Sequence, residues 1–94
     1  LLAYRLAWLQ DREIPAPSES AMEKAFVSEL QQRLSAVGME ILGLYAQLQN
    51  GDKHTPIRGS IERLYRSSIV YTLGGGTSEI MRNLIARRGL GLPA

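Results

Sequence analysis

The 94-residue chain has no cysteine. Disulfides, thiolate nucleophiles and thiolate metal sites are therefore excluded. It has a single histidine, His54, set in a polar turn with no second histidine or carboxylate cluster at ligand spacing, so no metal site is predicted. Neither sign of charge dominates. Eleven Lys and Arg stand against nine Asp and Glu, a net charge of +2, which is too little for a nucleic-acid footprint. No apolar run reaches membrane-spanning length and no signal-peptide pattern is present, so the expectation is a cytoplasmic protein without a membrane span. Ser67-Ser68 and His54 lack a spaced base and acid, which rules out a hydrolytic triad. The GGGT run at 74–77 lacks the Lys-Ser/Thr partner of a phosphate-binding P-loop.

What is present reads as helix. Leu2, Leu6 and Leu9 share one face of residues 1–12, with Trp8 at its edge, and Pro15 and Pro17 break the pattern. The chain opens inside this pattern with no cap or turn before it, which predicts a segment of a longer protein. From Ser18 to Gln49 a long helix is expected, opened by a Ser20–Glu23 capping box. Along it Met22, Phe26, Leu30, Leu34, Val37, Ile41, Leu44 or Tyr45, and Leu48 step by three or four. That stripe covers roughly 45 Å at 1.5 Å per residue. Gly38 and Gly43 interrupt it, which points to close approach of another helix, to a ligand, or to a bend. After a polar loop at 50–58, Ile61, Leu64, Tyr65 and Ile69 recur helically from Ser60. Four helices carry more apolar face than they can cover among themselves, so further segments or subunits are expected to cover the rest.

The stretch 74–92, GGGTSEIMRNLIARRGLGL, is the most informative. Thr77 is a good N-cap and Glu79 suits the first turn of a helix, while Arg87 and Arg88 suit its last turn and Gly89 its end. Such a start is either a capped surface helix after a turn or a helix mouth able to receive an anionic group. Arg82, Arg87 and Arg88 suit either phosphates or a solvated face.

GGGTSEIMRNLIARRGLGLPA resembles the C-terminal signature of the acyl-CoA dehydrogenases. The AYRLAWL start, the proline break, AMEKAFVSELQQRL and LYRSSIVYTLGGG follow that family's order and spacing. The resemblance implies an all-α antiparallel helical bundle, with residues 1–94 forming the last helices of the family's C-terminal four-helix domain. The N-terminal and middle domains are absent from this chain. It implies an FAD-dependent oxidoreductase of fatty-acid metabolism that desaturates an acyl-CoA thioester at its α and β carbons. Such an enzyme works as a dimer or tetramer with an electron-transfer partner. The segment alone is expected to be inactive.

The same resemblance places flavin contacts on Thr77 and Glu79, and the thioester end of the substrate against Gly76. Many members carry the catalytic Glu immediately before that glycine. Here the position is Gly75, which cannot take a proton, so no catalytic residue is expected in the segment. Other members place the base on an earlier helix, and some lack it and serve as silent partner subunits of heteromeric enzymes. A further flavin contact, often close to Q-I-x-G-G-x-G, maps to residues 40–46. Gly43 matches it, and Glu40 stands where the family has Gln.

Overall fold

The computed structural model describes residues 1–93, and among them the only regular secondary structure is helical. Four α-helices follow in order: α1 (Leu2–Asp11), α2 (Pro17–Leu42), α3 (Ser60–Tyr71) and α4 (Ser78–Leu84). A short 3-10 turn at Gly43–Gln47, a turn at Pro56–Gly59 in which Ile57 and Arg58 are left-handed (φ 49° and 53°), and a π-helical turn at Ile85–Gly89 complete the helical elements. The described residues form two compact units. The first holds residues 1–27 and 75–93, and the second residues 28–74.

The start of α2 differs from the expected capping box. Pro17 occupies the first turn, where a missing N–H costs nothing because that donor has no helical partner. The Ser20 amide already bonds the Ala16 carbonyl at 3.0 Å, so Ser20 lies inside the helix and caps nothing. Ser18 instead donates to the Glu19 carboxylate at 2.7 Å. That bond, with a weaker pull from Arg5, holds the Glu19 carboxyl below its ordinary range. The α-helix also stops at Leu42 rather than Gln49. Gly43 takes φ +55°, a left-handed conformation that glycine adopts readily, and the chain tightens into a 3-10 turn.

In the second unit, the later part of α2 and α3 run antiparallel along a seam of small and polar side chains. Gln32 meets Thr72 at 3.4 Å, and the Ser35 and Ser68 hydroxyls lie 3.3 Å apart. Gly38 lies beneath Ile61, where an added Cβ would sit 3.1 Å from two Ile61 side-chain carbons. Of the alternatives for Gly38, close approach of a neighbouring helix is the one observed. Ser35 and Ser68 are fully buried, and each also donates to a backbone carbonyl of its own helix, so the seam leaves no polar atom unpaired.

The heavy apolar stripe of α2 faces away from this seam. Phe26 (59% exposed), Leu34 (57%) and Ile41 (77%) are open, whereas Ala21, Ser28 and Ser35 are buried. At 3.6 residues per turn the two sets lie on roughly opposite faces. The expectation of uncovered apolar surface therefore holds, on the face that the stripe itself defines.

In the first unit, Leu9, Ala21 and Met81 are buried. Trp8 stays half exposed with the Arg12 guanidinium 4.4 Å above its ring, a cation–π contact. Lys24 reaches Gly76, and Ser18 lies against Gly89, so the first part of α2 also runs antiparallel to the segment that follows the glycines.

Candidate functional site

The site is built on the turn that joins the glycines to α4. Gly75 has φ +72° and Gly76 φ +110°. The second value lies outside what L side chains adopt without strain, so Gly76 is a conformational requirement. A Cβ on Gly76 would also fall 2.5 Å from the end of the Met81 side chain. Around Gly75 there is open space, and a side chain there would meet backbone strain but no steric contact.

Thr77 follows in extended conformation (φ −68°, ψ 162°), and its hydroxyl accepts from the Ile80 amide at 3.4 Å. This is the predicted N-cap. Glu79 stands exposed in the first turn of α4. Its own backbone N–H and then the Thr77 hydroxyl hold its carboxyl below the ordinary carboxylate range, and Arg82 adds a smaller pull. Thr77 and Glu79 thus stand together at the mouth of α4, with Gly76 beside them. All three predicted residues of this group are brought together.

Beyond Leu84 the α-helix widens into a π turn, with Leu90 N–H donating to the Ile85 carbonyl at 3.1 Å. The left-handed glycine that follows is Gly91 (φ +70°), not Gly89. Gly89 is set instead by its neighbour, since an added Cβ would sit 3.4 Å from the Ser18 Cβ. Arg82, Arg87 and Arg88 are exposed.

Gly43 belongs to the second unit, where it is exposed and has no atom within 4 Å of an added Cβ. His54 lies in an Asx turn, its amide donating to the Asp52 carboxylate at 2.8 Å. No cluster of three or more metal-ligating side chains exists among the described residues, and no helix among them is long and apolar enough to cross a membrane.

One residue at this turn was not visible in the sequence pattern. Lys24, on α2, donates from Nζ to the Gly76 carbonyl at 2.6 Å across 52 positions of chain. Nothing local to Lys24 marks it, because helical spacing shows which face a residue occupies and not which distant carbonyl it meets.

Comparison with known proteins bears on the family and the fold. The profile of the acyl-CoA dehydrogenase C-terminal domain matches residues 1–90. The acyl-CoA dehydrogenase FadE26 of Mycobacterium tuberculosis is 37% identical over 79 residues, covering 84% of this chain and 20% of that protein. The crystal structure of the ChsE4–ChsE5 complex from Mycobacterium tuberculosis superposes with a TM-score of 0.88 at 33% identity, covering 99% of this chain and 24% of that one. The Tcur3481–Tcur3483 steroid acyl-CoA dehydrogenase superposes at 0.91 with 27% identity, over 98% and 24% of the two chains. The chain thus spans about a fifth to a quarter of the length of these relatives. With a family profile matched over almost its whole length and the fold reproduced in solved relatives, the chain belongs to the acyl-CoA dehydrogenase family, as part of its C-terminal helical domain.

Proposed function

We propose that this chain is the closing segment of an FAD-dependent acyl-CoA dehydrogenase that desaturates an acyl-CoA thioester. In this reading it carries the flavin-and-thioester edge and not the catalytic base. The observation that supports it is the Gly76–Thr77–Glu79 group, in which a left-handed glycine leads into a helix start capped by Thr77.

The donor set suits part of FAD. Glu79 is held ionised, so it accepts hydrogen bonds and repels phosphate. Thr77 has one hydroxyl oxygen that already accepts from Ile80, and a hydroxyl can accept once more. Such a pair fits ring N–H or ribityl hydroxyl groups, and the pyrophosphate belongs elsewhere. Gly43 offers open backbone without a side chain, and is assigned to a flavin contact by its match to the family motif alone. When bound, FAD supplies the acceptor for the β-hydride. Gly76 is assigned to the thioester end by its match to the family motif alone, since the position its Cβ would take is already filled by Met81. Thr77 and Glu79 orient the flavin edge. The α-proton goes to a carboxylate from outside the segment, because Gly75 has no group that can receive it.

The test uses the full-length parent and a panel of octanoyl-, isovaleryl- and steroid-type acyl-CoA thioesters. Bleaching of bound flavin by one of them is expected. Bound FAD that none of them bleaches would overturn the active-enzyme reading.

Gly75 favours a second reading, a catalytically silent subunit of a heteromeric dehydrogenase. Two of the solved relatives are themselves described as two-component assemblies. A glutamate on an earlier helix that faces Gly75 in the parent supports the enzyme, and its absence supports the silent subunit. The parent is expected to assemble as a dimer or tetramer, alone or with such a partner, and to pass electrons to a separate acceptor protein.

A further inference from the structure

We propose that Lys24 is a positioning residue, one that fixes the orientation of the Gly76–Thr77 peptide and thereby aims the edge formed by Thr77 and Glu79. This rests on the dehydrogenase reading for what the edge faces, but not for the hold itself.

The Gly76 carbonyl and the Thr77 N–H belong to one planar peptide unit, and every peptide described is trans. In a trans unit the two point in opposite directions. An ammonium drawing the carbonyl toward α2 at 2.6 Å therefore turns the Thr77 N–H away from α2. That orientation needs an external hold because the turn has little stiffness of its own. Two successive glycines with φ of +72° and +110° precede the peptide, and glycine samples these regions among many others. On the other side, the Thr77 cap is a long bond of 3.4 Å. The Lys24 contact is shorter and charge-assisted, the strongest class of hydrogen bond available to a carbonyl here.

Position along α2 also matters. Lys24 lies one turn beyond buried Ala21, in the part of the helix set against this turn. Lys24 is half-buried as a residue, and its bond to Gly76 is part-buried. A helix residue carries less backbone freedom than a glycine loop, so the rigid element defines the mobile one. The contact given by Lys24 is to a backbone carbonyl and not to the Thr77 or Glu79 side chain. It acts through the peptide.

The experiment uses the full-length parent and the variants Lys24→Met, which keeps the stem and removes the donor, and Lys24→Arg, which keeps a charged donor. Amide hydrogen exchange is read across residues 75–80, with residues 60–71 of α3 as the folding control. Lys24→Met is expected to speed exchange at 75–80 about tenfold, the loss of one half-exposed charge-assisted bond, with α3 unchanged. Lys24→Arg is expected to stay near wild type. In the flavin-loaded parent, Lys24→Met is expected to shift the visible flavin bands and weaken FAD retention by a similar factor, with Lys24→Arg restoring both. Exchange at 75–80 that matches wild type overturns the hold. Faster exchange with unaltered flavin bands and retention overturns the link to the flavin edge. A parent that takes up no FAD defeats the dehydrogenase reading instead, and the exchange measurement still decides the hold. If Lys24→Met does not fold, Lys24→Gln replaces it, with exchange expected between wild type and the loss predicted for Met.

Discussion

Thr77 has two tasks at one atom, and they can be separated by pH. Its hydroxyl accepts from the Ile80 amide and donates toward Glu79. Thr77→Ala removes both. Loss of the cap is expected to cost about 1 kcal/mol of stability, read from the denaturation midpoint of the parent. Loss of the donor is expected to raise the Glu79 pKa toward the ordinary 4.5, though not fully, because its backbone N–H is the larger cause of the depression and stays. The sign follows from linkage. A carboxyl with a depressed folded pKa contributes stability that is present above its unfolded pKa and lost as pH falls through the folded one. Thr77→Ala should therefore flatten the part of the acid destabilisation below pH 4.5 that Glu79 contributes, and NMR titration of the carboxyl would show the rise directly. In the flavin-loaded parent the same substitution should weaken FAD retention by about 1 kcal/mol, the worth of one neutral hydrogen bond. FAD affinity equal to wild type would remove Thr77 from the cofactor site. Gly76→Ala meets a different obstacle. Its φ of +110° is strained for any L residue, at about 1–3 kcal/mol. The crowded Met81 methyl is the flexible end of a side chain that can swing away. Met81→Ala should consequently fail to rescue Gly76→Ala, and a rescued denaturation midpoint would show that contact, not conformation, selects the glycine.

At the scale of the element, α2 and α3 are joined by what is small rather than by what is apolar. Gly38 and Ile61 approach closely, with an added Cβ 3.1 Å from the Ile61 side chain. Gly38→Val is expected to destabilise the parent by about 1–3 kcal/mol through overpacking. Ile61→Ala should offset part of that loss, giving a coupling of at least about 0.5 kcal/mol in a double-mutant cycle. Additive single effects would show that the seam does not close at this pair. Such a seam was only half legible in the sequence. Gly38 stood out because glycine in a helix interior has a cost that something must offset, and helical spacing located α1, α3 and α4 and the Thr77 cap. The direction in which α2 faces its neighbour was not legible. Large apolar residues ordinarily mark the packed face, yet here Ser35 and Ser68 occupy it, and Phe26, Leu34 and Ile41 do not. Periodicity identifies a stripe without saying which partner will cover it. The end of α2 is hidden from the sequence for a related reason. Gly43 sits within an unbroken apolar rhythm, and only its left-handed backbone shows that the α-helix has already stopped. At the other end Pro17 outcompetes Ser20, since a proline in the first turn starts the helix before the polar box is reached. The turn at Gly76 was legible as a motif, whereas Lys24 became visible only when the fold brought residues 52 apart within 2.6 Å.

For the whole molecule the exposed face of α2 is the deciding feature. Leu34, Val37 and Ile41 lie on one side of a single helix and all are open to solvent. Burying a side chain of this kind stabilises by about 1.5–3 kcal/mol, so leaving three in water forgoes an amount comparable to the whole stability of a small domain. The chain covers only about a fifth to a quarter of its relatives, and a parent of their length would hold ample polypeptide to cover this face. A substitution that introduces charge there should then have opposite effects in two contexts. In the isolated 94-residue chain, Ile41→Glu replaces an exposed apolar side chain with a hydrated one. It should reduce self-association, which light scattering across a concentration series would read, and lower the binding of a hydrophobic dye. In the parent the same carboxylate would be enclosed among apolar groups without a partner, and the thermal midpoint should fall by several degrees or assembly should fail. Leu34→Glu, two turns earlier on the same face, should repeat both signs. The unsubstituted isolated chain is expected to take up no FAD, because most of the proposed site lies in segments it does not contain. A parent indifferent to both substitutions would show that the face is solvated there as well, and the covering helices would have to lie on another side of α2.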